Sequence, residues 1–136
     1  MIYAVIDTNV IVSALLSRTP TAATVRLLNA LTDNAICPLF NEEIISEYTN
    51  VLHRPKFNIP SDLSNSIIRM IQDIGLKSSR LHSDEHFPDP KDIVFYEVAM
   101  SKEDAYLVTG NTKHFPAKPI VVTPAELMEI LDKSET

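Results

Sequence analysis

The stretch Ile2-Tyr3-Ala4-Val5-Ile6 carries apolar side chains at every position, on both faces of an extended chain. A strand apolar on both sides must be covered on both sides. Parallel sheets flanked by helices achieve this, and sheets with one wet face do not. The run stops at Asp7, where the strand should give way to a helix. A carboxylate at that boundary costs free energy unless it is paired, hydrogen-bonded or bound to a metal. It also stands at the strand edge where open α/β sheets bind their ligands.

The rest of the chain alternates in the same sense. Thr8 to Ser17 reads as a helix apolar nearly all round. Thr19-Pro20 offers an N-cap and a first-turn proline for a second helix through about Thr32. Residues 35–39 read as a strand, and Asn41, followed by Glu42 and Glu43, caps a helix to about Leu52 that Arg54-Pro55 ends. Ser61 can cap a further helix closing near Gly75. Residues 79–90 are polar and proline-bearing, a loop with room for a short strand near Leu81. Asp89-Pro90-Lys91-Asp92 opens a helix reaching about Ser101, residues 105–109 and 120–122 read as strands, and Thr123-Pro124-Ala125-Glu126 is a capping box for a terminal helix. Strands alternating with helices predict a parallel sheet covered on both faces, in one domain spanning residues 1–136.

Two glycines, Gly75 and Gly110, are too few for a phosphate-cradling P-loop or a dinucleotide fingerprint. Ser13 and Ser17 lie in a helix, without the Gly-x-Ser-x-Gly turn of a hydrolase. Cys37 is the single cysteine, so neither an internal disulfide nor a cysteine zinc cage is available. The N-terminal apolar run has no basic flank and is broken by Asp7, unlike a signal peptide, and no stretch reaches the ~18 apolar residues of a membrane span. A cytoplasmic protein with no membrane association is the expectation. The formal charge of −6 is the wrong sign for holding nucleic acid by bulk electrostatics. Divalent cations or a local basic patch would have to supply any attraction to a polyanion.

Other oxygen-bearing side chains fall where they can join Asp7. On the helix after Asn41, at about 100° per residue, Ile44, Ile45, Tyr48, Val51 and Leu52 form an apolar arc with Glu47 just outside its rim. Asp92 opens an apolar helix that should pack close to the sheet, and Asn111 follows Thr109-Gly110 at the end of another buried strand. Each residue has a plainer reading. Asp7 can be an N-cap, although Thr8 or Asn9 could cap instead, and Glu47 can be a solvated flank residue. Asp89 and Asp92 fit N-cap and N3 around Pro90, while Asn111 can be a turn residue. Asp104 precedes its strand and belongs at the opposite end of the sheet. Taken together, the set is an acidic cluster of hard oxygen ligands, which select Mg²⁺ or Mn²⁺ over zinc and suit metal-assisted phosphodiester hydrolysis. His82 and His86 lie in a predicted loop without the zinc-helix arrangement, and His53 and His114 read as surface or substrate-facing residues. Phosphatase chemistry on Asp7 would want an acid two residues on, where this chain has Asn9.

The ordered pieces Val5-Ile6-Asp7-Thr8-Asn9-Val10, Glu43-Ile44-Ile45-Ser46-Glu47-Tyr48, Asp89-Pro90-Lys91-Asp92 and Asp104-Ala105-Tyr106-Leu107-Val108-Thr109-Gly110-Asn111 resemble the PIN-domain ribonuclease family over nearly the whole chain. The chain is most similar to the small prokaryotic PIN proteins described as toxin components of toxin–antitoxin systems. The resemblance implies a three-layer α/β/α sandwich around a parallel sheet, RNA as substrate, a cognate antitoxin as partner and a homodimer. It implies Asp7, Glu47 and Asp92 as catalytic ligands of Mg²⁺ or Mn²⁺, with Thr8 or Asn9 orienting Asp7. Asn111 takes the position of a fourth family Asp; an amide oxygen can ligate but brings no charge, so a second ion would bind more weakly or only with substrate present. Arg54, Lys56, Lys91 and Lys113 are candidate phosphate contacts, with Asp89 beside them.

Overall fold

A computed structural model describes residues 1–134. Its strands are β1 (Ile2–Ile6), β2 (Ile36–Phe40), β3 (Leu76–Lys77), β4 (Tyr106–Val108) and β5 (Val121–Val122). Among the described residues they form one five-stranded sheet in the order β3-β2-β1-β4-β5, with every pairing parallel. The helices are α1 (Thr8–Leu16), α2 (Ala23–Thr32), α3 (Glu42–Leu52), α4 (Ser61–Ile74), α5 (Ile93–Met100) and α6 (Pro124–Ser134). This is the three-layer α/β/α sandwich. Ala4, Val5 and Ile6 in β1 are at most 1% exposed, as a strand covered on both faces requires. No helix among the described residues is long and apolar enough to cross a membrane.

Local chemistry sets most element ends. Asn41 accepts from the Ile44 N–H at 2.9 Å, capping α3, and Thr123 and Glu126 exchange reciprocal bonds of 2.8 and 3.1 Å ahead of α6. Gly75 lets α4 end directly against β2. A Cβ there would fall 2.4 Å from the carbonyl oxygens of both Ile71 and Pro38, so β3 could not dock beside β2 in its place. The buried Tyr48 on α3 donates its hydroxyl to the Ile6 carbonyl at 2.5 Å, fastening that helix to the last residue of β1.

Several boundaries differ from expectation. α2 starts at Ala23 because Thr19-Pro20 makes a β-turn instead of a cap: the Ala22 N–H donates to the Thr19 carbonyl at 3.1 Å. Proline presets φ as well for the second residue of such a turn as for a first helical turn. α4 begins on Pro60, whose carbonyl accepts from Leu63 and Ser64, and Ser61 makes no capping bond. The short strand lies at Leu76–Lys77, not near Leu81, whose N–H instead bonds the Glu97 carbonyl at 3.0 Å.

Candidate active site

The chain leaves β1 toward β2 and β3, then returns across the sheet to β4 and β5, so β1 and β4 are neighbours at the point where strand order reverses. Such a switch point opens a crevice beyond the carboxyl ends of the strands. Ile6 pairs with Val108, which sets residues 7 and 109 side by side at that crevice. The Asp7 N–H donates to the Val108 carbonyl at 2.9 Å, and the Thr109 hydroxyl donates to Asp7 Oδ2 at 2.8 Å. Asp7 is 8% exposed and makes no side-chain capping bond to α1, although it holds the N-cap position. Burial pushes its carboxyl above the usual range. The Thr109 hydroxyl, the N–H groups of Asn9 and Thr8 and the charge of His114 pull the other way. Burial wins.

Asp92 reaches the same crevice from a tight 3-10 turn over Pro90–Asp92 that leads into α5. Asp89 builds that turn by accepting from the Lys91 N–H at 3.0 Å, and the Asp92 side chain makes no capping bond. Asp89 is thus the cap, and Asp92 is left for the site. Its carboxyl is pushed up to about 6, first by burial and then by the charges of Asp7, Asp89 and Glu47, with His114 opposing. Asp92 therefore feels both Asp7 and Glu47 as like charges. Glu47 sits half-buried on α3, one residue before the Tyr48 anchor, and lines a cavity of about 250 Å³ with Glu43, Arg80, Pro90, Lys91 and Val94.

Asn111 completes the crevice after Gly110. Its backbone N–H donates to the Thr109 hydroxyl at 3.0 Å, and its side-chain Nδ2 lies 2.9 Å from His114 Nε2. The other ring nitrogen, His114 Nδ1, is 3.8 Å from Asp92 Oδ2. Asn9 is exposed and shares a cavity of about 240 Å³ with Asn111, Gly110 and Ser13. The Thr8 hydroxyl is buried and has no hydrogen-bond partner among the described residues, so the hydroxyl bonded to Asp7 is that of Thr109. Lys91 and Lys113 are exposed on the turns that carry Asp92 and Asn111. Arg54 follows the C-cap of α3, roughly 10 Å along the helix axis from Glu47. Lys56, nearby, lies over the Phe57 ring at 5.1 Å. His82 bonds Asp84 at 2.8 Å and takes no part in the crevice. Asp104 turns the chain at the opposite end of β4 with φ 65°.

Sequence patterning left Thr109 out of the site and read His114 only as a surface or substrate-facing residue. Parallel register carries the signal for Thr109, because a polar residue ending β4 must face one ending β1. For His114 the only cue was its place three residues after Asn111.

Among the described residues no three of His, Cys, Asp or Glu stand close enough to form a ready metal cage. The donor chemistry nevertheless suits a hard divalent cation. Asp7, Asp89 and Glu47 all press on Asp92 as like charges, and a hard cation bound there would relieve that pressure. The pressure on Asp92, from burial first and like charge second, is measurable. The Asp92 carboxyl titrates higher folded (about 6) than its ordinary 3.8, so its stabilising contribution is complete below about pH 3.8 and is lost as pH rises through about 6. At pH 7 in EDTA, Asp92→Asn is expected to stabilise the protein by about 1–2 kcal/mol, after discounting the full shift for solvent access. The gain should vanish near pH 4. Urea midpoints of both proteins across that range check this, and a variant less stable than wild type at pH 7 would contradict the crowding.

A family model for the PIN domain matches residues 3–113, and the chain belongs to that family. PIN domains are generally nucleases, typically metal-dependent. No curated protein and no solved structure matches the chain.

Proposed function

We propose that this PIN domain is a ribonuclease that hydrolyses RNA phosphodiester bonds with Mg²⁺ or Mn²⁺, using the edge formed by Asp7, Glu47 and Asp92. The observation that supports this reading is the convergence on Asp92, at the switch point, of burial and the like charges of Asp7, Asp89 and Glu47, which together push its carboxyl up to about 6. They would hold the cation, with the Asn111 amide oxygen as a neutral addition. The bound ion supplies an activated water and neutralises charge on the phosphoryl group. The chain's own contribution is positional: Thr109 fixes the Asp7 carboxylate, Tyr48 fixes the helix bearing Glu47, and Asp89 fixes the turn bearing Asp92. Lys91 and Lys113 would contact backbone phosphates, local charges that a protein of net charge −6 needs to hold RNA. In this reading the protein acts in the cytoplasm as a homodimer and as the toxin of a toxin–antitoxin pair; a small DNA-binding protein encoded beside it would support the pairing.

A structured RNA pool incubated with the purified protein should be cut with Mg²⁺ or Mn²⁺ and left intact in EDTA. A second reading, a PIN module that binds RNA or protein without cutting, draws on Asn111, which brings no charge. RNA retained on a filter in EDTA, with no cleavage under either metal, would favour it.

A further inference from the structure

The cavity of about 250 Å³ beside Glu47 opens between the two elements that carry the acidic edge. α3 contributes Glu47 and, one helical turn earlier, Glu43; the turn leading into α5 contributes Pro90 and Lys91; Arg80 forms a further wall. Lys91 is exposed, and its ammonium makes no ion pair or hydrogen bond among the described residues. Arg80 is held from two sides of unequal strength. Its Nε and Nη2 lie 2.8 and 2.6 Å from Oε1 of Glu97, whose side chain is buried, so this half of the guanidinium is fixed from the interior. The remaining nitrogen, Nη1, donates to both carboxylate oxygens of Glu43 at 2.9 and 2.8 Å. The Glu43 side chain is 57% exposed. An ion pair so open to water contributes little to stability, because solvent screens it and two long side chains lose freedom in making it. The guanidinium is thus locked in direction by one partner while its outer edge is covered by a dispensable one. A phosphate offers that edge the same two-oxygen contact and can draw on Lys91 as well.

We propose that Arg80 and Lys91 bind an RNA backbone phosphate flanking the bond to be cut, and that Glu43 covers the outer edge of Arg80 until that phosphate displaces it. This rests on the RNA reading above and names a contact of the same site. Displacing Glu43 gives up only an exposed contact, and Glu97 keeps the guanidinium aimed at the cavity while the carboxylate swings into water.

Binding of a short single-stranded RNA without terminal phosphates, followed by fluorescence anisotropy in EDTA over a range of salt, tests the proposal. Glu43→Gln uncovers the arginine and should tighten binding about fivefold to tenfold, the scale of one charge-assisted contact. The slope of log affinity against log salt should steepen by about 0.7, the increment for one more phosphate neutralised on a single strand. Glu42→Gln removes an equal charge one residue away, where the carboxylate pairs with Lys77 at 3.3 Å. Screened by salt, that change should alter affinity less than about twofold. The gain must also run through Arg80. With Arg80→Met and Glu97→Gln together, which strand no buried charge, adding Glu43→Gln should gain less than about twofold, and melting confirms that each variant is folded. Equal gains from Glu43→Gln and Glu42→Gln, no gain from Glu43→Gln, or an undiminished gain without Arg80 overturns the proposal. A wild type that neither binds this RNA in EDTA nor cuts it with Mg²⁺ overturns the RNA reading and this inference with it. One that cuts the RNA but shows none of these shifts overturns the inference alone.

Discussion

Asp7→Asn is expected to lose RNA cleavage by at least about a hundredfold, equivalent to ~2.7 kcal/mol of barrier, while melting no lower than wild type. The two halves of this expectation come from the same geometry. Asparagine matches aspartate in shape and keeps an oxygen to accept the 2.8 Å bond from the Thr109 hydroxyl, so the join between β1 and β4 survives. What disappears is a charge 8% exposed, whose burial already pushes its carboxyl above the usual range and which in turn presses on Asp92. A buried charge that works against the fold is a candidate functional group, and on the proposed reading its use is to bind a cation. Cleavage assays in Mn²⁺ beside thermal melts in EDTA separate activity from stability. Wild-type cleavage rates in the variant would sink the assignment of this edge as the active site, and a large fall in melting temperature would mean that Asp7 serves the fold instead.

Arg80→Met should destabilise the protein by about 3–5 kcal/mol, the scale for stripping a buried ion of its partner. Glu97 lies on the otherwise apolar helix α5 with its side chain 5% exposed. Arg80 meets its Oε1 through Nε at 2.8 Å and Nη2 at 2.6 Å, and the Ser83 N–H donates to Oε2 at 2.8 Å. Burial alone would drive the Glu97 carboxyl upward, but the bonds from Ser83 and Arg80 and the arginine charge bring it below the usual range. Its stabilising contribution is therefore present above its ordinary 4.5 and lost as pH falls through the lower folded value. Without Arg80 only the Ser83 N–H is left to offset the burial cost at pH 7. Adding Glu97→Gln removes the stranded charge while keeping an acceptor for Ser83, and the double variant should recover at least about half of the loss. Urea midpoints of the two single variants and the double variant provide the check. If Arg80→Met costs under about 1 kcal/mol, the pair is a surface contact and not a clamp.

That clamp also marks the limit of what sequence order reveals. β1 was legible because a doubly apolar run has one comfortable environment, and the caps at Asn41 and Thr123–Glu126 were legible because they depend only on neighbours three residues away. Asp7 and Asp92 were visible as carboxylates at element ends, and Glu47 as one on the rim of an apolar helix face. Glu97 was not, because its partner sits in residues 79–90, a stretch with no periodicity to say which side chain turns inward. β3 escaped for a similar reason: two exposed residues carry no pattern, and the strand exists because Gly75 lets the chain approach β2. Thr109 needed the strand register, which appears only when two distant segments are paired.

The pairing of β1 with β4 has a consequence in time as well as in space. The bond that fixes Asp7 joins residues 102 positions apart, and closing a loop of that length costs on the order of 4 kcal/mol in chain entropy. Until β4 has been synthesised and has found its place beside β1, Asp7 has no Thr109 and Asp92 no settled neighbour. A growing chain still on the ribosome, short of its last strands, therefore holds the acidic residues but not the site. On the proposed reading, cutting power arrives only once the chain through Thr109 has been made and paired with β1, so a shorter nascent chain would not expose the RNA of the ribosome to the site.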